Sequence, residues 1–262
     1  MRVDQLVPAF HRGDAIGDTA FHMRNFFRSR GFESDIYCLD RDRELEAESR
    51  RMDSFPKPAP GDVTILHFAL PSPLTRALRG LPSRKAIIYH NITPAKFFTP
   101  FSPDTARIAR VGREELASLA TAVDLALADS EFNRRELAAL GFRNTGVLPL
   151  FVDFGKYEKP ASRIVRDLVG DGRTNILFVG RIAPNKKIED LIKVVFYYKK
   201  YISPLVRLIV VGKTGSLPKY FESLVRMADE FYLKPEEIQF TGHIPDEEMY
   251  AYYKASHVFL RS

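Results

Sequence analysis

The stretch ILFVGRIAPNKKIEDLI, Ile176 to Ile192, decides the fold. It opens on a near-continuous apolar run, as expected of a strand covered on both faces of a sheet. The run ends at Gly180, a turn presents Arg181, and Lys186 and Lys187 precede a segment that reads as a helix, Ile188–Tyr201. A buried strand, a turn and a helix in immediate succession form the repeating unit of a parallel sheet with crossover helices.

Working outward, the same alternation covers most of the chain. Towards the C-terminus, strands are expected at Asn175–Val179, Val206–Val211, Glu237–Phe240 and His257–Leu260, with helices at about Pro218–Leu233 and Asp246–Lys254. Towards the N-terminus, strands are expected at Leu6–Phe10, Asp35–Leu39, Val63–Phe68, Ala86–His90, Asp124–Ala128 and Gly146–Leu150. Helices are expected at Asp18–Arg30, closed by Gly31, at Thr105–Thr121, and after Ser130, whose hydroxyl suits a helix cap and whose helix Gly141 ends. The segment from Phe151 to Arg173 breaks the rhythm. The division that follows is an N-terminal domain over 1–155, a linker over 156–173 with a short helix near Arg163–Val169, and a second domain over 174–262. The fold class is therefore α/β, two parallel-sheet domains in tandem, each expected to receive ligands outside the carboxyl ends of its strands.

An arginine and a lysine five apart around a strand-to-helix turn can converge on one diphosphate. The arginine offers a flat fork, the lysine a point charge, and the helix start adds backbone donors. The alternative is that Arg181, Lys186 and Lys187 solvate a loop.

VGRIAPNKKIEDLI resembles the donor-phosphate motif of the family-4 retaining glycosyltransferases, in which a strand ending Gly-Arg is followed five residues later by a lysine. The resemblance implies a GT-B fold of two Rossmann-like domains, with Arg181 and Lys186 neutralising the departing nucleoside diphosphate. Glycine commonly follows that lysine, whereas this chain has Lys187; Lys186 is the favoured partner. VRLIVVGKTG is similar to the next strand and its turn, which adds Gly180 and Gly212 to the donor-binding set. IQFTGHIPDEEMYAYYKASHVFLRS resembles the stretch whose Gly-His-Ile backbone lies beside the nucleobase, which adds His243 and Ile244. VLPLFVDFGKY and ADSEFNRREL are similar to the family's domain junction and Ser-rich strand end, although Leu150-Phe151 replaces the usual Asn-Gly.

In the N-terminal half, HRGDAIGDTAFHMRNFFRSRGF resembles the glycine loop and first helix that close over donor and acceptor. Gly13 or Gly17 would permit close backbone approach there, or both serve as ordinary turn residues. AIIYHNITP places His90 at a strand end, where the resemblance implies a contact with the donor sugar; a satisfied core histidine is the other reading. His67 also ends a strand and reads as core. The catalytic set implied is His90, Arg181 and Lys186. The family's paired glutamates would begin where the sequence stops at Ser262, so the second domain is expected to be incomplete and the fragment inactive, with apolar surface around Val179, Ile209 and Val258 partly exposed.

The resemblance implies a UDP- or GDP-sugar as donor, a glycan or lipid-linked hydroxyl as acceptor, and transfer without a metal, since the chain supplies cations and no Asp-x-Asp pair. No other cofactor is expected: GDAIGD is neither a GxGxxG nor a Walker motif, and the six histidines show no metal-ligand spacing. The rival classes are a sugar-nucleotide-binding module without transfer and another GT-B enzyme such as an epimerase or phosphorylase.

The net charge of +6 includes Arg24, Arg28 and Arg30, and Arg76, Arg79, Arg84 and Lys85. Solvated faces are the first reading of these residues; a phosphate ligand or peripheral association with an anionic membrane are the sharper ones. Nucleic acid is not expected, as no recognition motif accompanies the charge. No apolar run is long enough to span a bilayer or serve as a signal, which points to a cytoplasmic protein.

Overall fold

The computed structural model describes residues 1–261 except 12, 153, 159–162, 164 and 166–168. The chain divides into two compact units, one of Met1–Ala95 and Asp104–Val152, the other of Lys96–Pro103 and Asp153–Ser262.

The first unit is built on a seven-stranded, wholly parallel sheet: β1 (Val3–Phe10), β2 (Ile36–Arg41), β3 (Arg50–Arg51), β4 (Val63–Phe68), β5 (Arg84–Tyr89), β6 (Leu125–Ala128) and β7 (Thr145–Val147). Their order is β3-β2-β1-β4-β5-β6-β7. The apolar runs VTILHF and RKAIIY of β4 and β5 are almost wholly buried, as central parallel strands require. Crossovers are supplied by α1 (Ala15–Ser29), α2 (Pro73–Arg79), α3 (Pro103–Ser118) and α4 (Glu131–Ala139). One apolar cluster gathers Val7, Phe10, Ala20, Ile36, Cys38 and Leu45; another gathers Val3, Ile65, Ala86 and Ile88.

Helix α1 starts three residues before the expected Asp18, because Asp14 caps it: the carboxylate accepts from the Ile16 N–H at 3.4 Å. Ser130 caps α4 as expected, accepting from the Asn133 N–H at 3.3 Å. Gly31 and Gly141 follow their helices with φ of +81° and +90°, the left-handed region that ends a helix at least cost in glycine. The short helix α2 was not anticipated: seven residues show little periodicity, although Ser72 followed by Pro73 is a helix-start signal.

The second unit holds a four-stranded parallel sheet ordered β10-β9-β8-β11, with β8 (Thr174–Val179), β9 (Val206–Val211), β10 (Ile238–Gly242) and β11 (Val258–Phe259). Helices α5 (Ile188–Tyr201), α6 (Pro218–Glu230) and α7 (Asp246–Ala255) connect them. The helix expected near Arg163–Val169 lies mostly outside the described residues; of it, Val165 and Val169 are buried with Leu177, Ile209, Val211 and Ala251. Val258 and Phe259 are exposed on the edge strand, whereas Ile209 is fully buried, contrary to expectation, because Val165, Val169 and the α7 residue Ala251 cover its face of the sheet.

The exits of the central strands are laid close together. Gly180 N–H donates to the Val211 carbonyl at 3.0 Å, and Gly212 N–H to the Gly242 carbonyl at 3.0 Å. A Cβ on residue 212 would lie 1.9 Å from the Gly180 oxygen, so only glycine fits there; at Gly215, three residues on, nothing lies within 4 Å. Gly212→Ala is therefore expected to cost about 2–3 kcal/mol of stability. Gly215→Ala should stay within about 0.5 kcal/mol of the parent. Urea denaturation of both variants checks the pair, and equal midpoints would disprove the close approach.

Candidate functional site

In the second unit the strand order reverses at β8: β9 lies on one side and β11 on the other. The crevice beyond the carboxyl ends of β8 and β11 is the place where an open parallel sheet receives a ligand. Gly180 and Arg181 leave β8 into it. Residues Pro184–Lys186 form a single 3-10 turn closed by the Lys186 N–H on the Ala183 carbonyl at 2.8 Å, and α5 begins two residues later.

Register brings in a residue that sequence reading missed. Strand β11 pairs with β8 with Val258 beside Ile176 and Phe259 beside Leu177, and Leu260 N–H donates to the Leu177 carbonyl at 2.9 Å. Continued by two residues, this register carries Arg261 out beside Val179, at the start of the turn that holds Arg181. Lys186 is half-buried, and its pKa is lowered first by burial and then by the charges of Arg261 and Arg181. Three cations thus come together from two segments, the turn after β8 and the exit of β11. Among the described residues, neither Arg181 nor Arg261 forms an ion pair. The only signal for Arg261 in the sequence was its place just after an apolar run; its neighbours depend on strand pairing.

Lys187 has φ +49° and ψ 42°, the left-handed conformation. This explains why glycine is the usual residue at this place in the resembled motif: a side chain there costs about 1–2 kcal/mol. Lys187 also caps α5 without a side-chain hydrogen bond. Tyr220 of α6 compensates, its hydroxyl accepting from the Ile188 N–H at 3.2 Å and donating to Glu189 Oε2 at 2.5 Å. Burial, with the Glu189 carboxylate next, pushes the Tyr220 hydroxyl's pKa upward, so it remains a donor. The turn that carries Lys186 is thereby pinned from α6.

Gly242 closes β10 with φ +73°. After it His243 is exposed, while Ile244 is partly buried and packs against the core of this unit.

In the first unit the strand order reverses between β1 and β4. Gly13 and Gly17 follow β1. Gly13 is left-handed, φ +69°, in open space, whereas a Cβ at Gly17 would sit 2.8 Å from the His11 carbonyl oxygen. Close backbone approach is thus the property of Gly17, and turn geometry that of Gly13.

His90 follows β5, and its side chain is 3 % exposed. The hydrogen bonds fix its protonation state. Gln5 Nε2 donates to the Ala20 carbonyl at 2.9 Å, leaving Gln5 Oε1 to accept from His67 Nε2 at 2.9 Å. His67 Nδ1 is then the acceptor for His90 Nε2 at 3.0 Å, and His90 Nδ1 carries a lone pair. That Nδ1 is buried without a hydrogen-bond partner among the described residues; Asp129 Oδ2 is 4.0 Å away. Burial lowers the pKa of His90 to about 4, and that of fully buried His67 well below the ordinary value, with His90 adding to it. His67 is the core residue expected of it.

The loop after His90 is held by a network that sequence reading did not find. Tyr89 Oη donates to Glu136 Oε2 at 2.6 Å and accepts from the Ile92 N–H at 3.0 Å. Arg113 bridges Glu136 and the Ile92 carbonyl, the latter at 2.8 Å. Asn91, at φ +70°, takes the turn between them.

Residues 165–262 match the family Glycosyl transferases group 1. Among solved structures, the chain is similar to Anabaena Alr3699/HepE in complex with UDP-glucose: TM-score 0.69, 16% identity, 100% of this chain and 74% of that one. It is also similar to sucrose-phosphate synthase from Thermosynechococcus elongatus, with TM-score 0.68 and 14% identity over 99% of this chain and 75% of that one. A third likeness is to α,α-trehalose 6-phosphate synthase from Burkholderia multivorans, with TM-score 0.65 and 13% identity over 98% and 75% of the respective chains. No curated protein matches the sequence. These likenesses show the GT-B fold, and the resemblance read from the motifs around Arg181 coincides with the family match.

The neutral histidine pair gives a pH dependence with a definite sign. Unfolding frees His90 to titrate near pH 6.5, whereas the folded group titrates at about 4. The unfolded state therefore binds more protons in this window, and stability present above pH 6.5 is lost as the pH falls through it. Urea unfolding should show a loss between pH 7 and 4.5 of which His90 accounts for about 2–3 kcal/mol, so His90→Asn should reduce the slope by that amount and leave the part due to His67. An unchanged pH slope in the variant would contradict the buried neutral pair.

Proposed function

We propose that this chain binds the donor in a retaining glycosyltransferase that moves a hexose or N-acetylhexosamine from a UDP- or GDP-sugar to a hydroxyl of a glycan or lipid-linked acceptor. One observation carries the proposal: Arg181 and Lys186 converge at the strand-order reversal of the second sheet, on a turn pinned by Tyr220. Like charges gathered in a half-buried crevice are stabilised by a bound anion, and they are worth most where negative charge develops on the departing diphosphate. The UDP-glucose in the HepE structure supports a nucleotide-sugar donor.

In this reading Gly180 and Gly212 let the diphosphate approach the backbone, and the main chain at His243 and Ile244 lies beside the base. Gly17 brings the first turn of α1 close in the first unit. His90 contacts the donor sugar, its unpartnered Nδ1 lone pair accepting from a sugar hydroxyl. The acceptor attacks the face that the leaving group vacates. Nucleotide binding is the property assigned to the residues named here.

Arg181→Ala should raise the dissociation constant for UDP by about 10- to 100-fold, equivalent to about 1.5–3 kcal/mol for a charge-assisted contact. Lys186→Ala should behave similarly. Lys187→Gly should leave affinity within about threefold of the parent, because its role is conformational. Calorimetric titration of UDP and GDP decides; equal affinities across the set would remove the diphosphate assignment.

Transfer is proposed to need no metal, since fixed cations face the diphosphate. Sugar transfer from radiolabelled donor should survive excess EDTA. Complete loss, restored by magnesium or manganese, would require a different class of transferase.

A further inference from the structure

A second group of cations lies in the first unit, away from any residue assigned above. The segment leaving β4 runs into α2 and packs on α3 around a cavity of about 600 Å³, lined by Ser72, Thr75, Arg76, Arg79, Glu115 and Ser118 among others. The cavity runs along α2, the helix that follows β4, and is closed on its other side by Glu115 and Ser118 of α3.

Arg76 and Arg79 stand about one helical turn apart, are exposed, and form no ion pair or hydrogen bond among the described residues. Beside them, Ser72 Oγ and Thr75 Oγ1 are buried and without hydrogen-bond partners, and Thr75 is only 5% exposed. Both hydroxyls have local partners in prospect that they decline. Ser72 occupies the cap position of α2 but does not cap it, unlike Ser130 on α4. Thr75 does not bond back along its helix, whereas Thr19 donates to the Ala15 carbonyl at 2.7 Å. Buried hydroxyls left unsatisfied beside two guanidinium groups call for a ligand with several acceptor oxygens and negative charge.

We infer that this cavity binds a phosphomonoester whose carrier bears hydroxyl groups, such as a sugar phosphate. Two permanent positive charges against the one Glu115 carboxylate leave the lining net positive, and the arginine forks with the Ser72 and Thr75 hydroxyls satisfy the phosphate oxygens. A carboxylate would leave most of these donors idle. Glu115, whose Oε2 accepts from the Ser72 N–H at 3.3 Å, supplies an acceptor for a carrier hydroxyl. The cavity volume lies in the range that small ligands occupy. The inference is independent of the donor assignment, because no residue is shared.

The test is amide chemical-shift titration of the 15N-labelled chain with glucose 6-phosphate, glucose and inorganic phosphate. A parallel arm uses vesicles containing phosphatidylinositol 4-phosphate, which separates a lipid source of the same phosphomonoester from a soluble one. Glucose 6-phosphate should shift the amides of Ser72, Thr75 to Arg79 and Ser118, with inorganic phosphate weaker and glucose silent. R76A and R79A, both at exposed positions, should each weaken binding at least tenfold, and S72A about threefold. E115Q, which removes a like charge, should strengthen inorganic phosphate, and glucose 6-phosphate by less because the acceptor for the carrier hydroxyl is weakened. Vesicle binding lost in R76A and R79A, without a soluble response, would support the phosphomonoester and assign it to a lipid. Shifts confined to Gly180–Lys187, or binding of either kind indifferent to R76A and R79A, would overturn the proposal.

Discussion

The carbonyl oxygen of Gly180 occupies the space that a side chain on residue 212 would need. That contact sets the spacing between the exits of β8 and β9, and the Gly212–Gly242 hydrogen bond extends the alignment to β10. Three strand ends lie level as a result, and the turn bearing Arg181 leaves from a rigid edge. A larger residue at 212 would push β8 and β9 apart at the one point where the chain changes direction toward the cationic turn.

Rigidity at that edge makes tolerable what would otherwise be unfavourable. Arg181, Lys186 and Arg261 repel one another, and burial further disfavours the charge on Lys186. Lys187 adds backbone strain in the left-handed region. Offsetting contacts come from α6, where Tyr220 satisfies the uncapped start of α5 and holds Glu189. Strain and like charge concentrated on one turn, with support from a neighbouring helix, is the pattern of a site organised for an anion rather than for stability.

The first unit shows the opposite electrostatic solution. His67 and His90 are kept neutral by burial and joined to Gln5 in one direction of hydrogen bonding, so no charge is stored there. The loop beyond His90 is instead anchored by charge at a distance, through Glu136 and Arg113 on two helices. A histidine that keeps an Nδ1 lone pair must be neutral, and this arrangement makes it so across the ordinary pH range.

Local chemistry was legible in the sequence because it depends on residues near one another in the chain. The apolar runs of β4, β8 and β9, the caps at Ser130 and Gly141, and the Gly-Arg and lysine spacing around 181 and 186 all follow from backbone geometry and periodicity over a few residues. The tautomer of His90, the close approach at Gly212 and the company of Arg261 were not legible. Each depends on residues tens of positions apart: Gln5 on His67, Gly180 on Gly212, Ile176 on Val258. Parallel pairing places such residues side by side through crossovers that carry no record of register in their own sequence. The amino-acid sequence thus determined which elements form and which side chains carry charge. Only tertiary structure decided which of those charges meet, because meeting is a property of strand order and register.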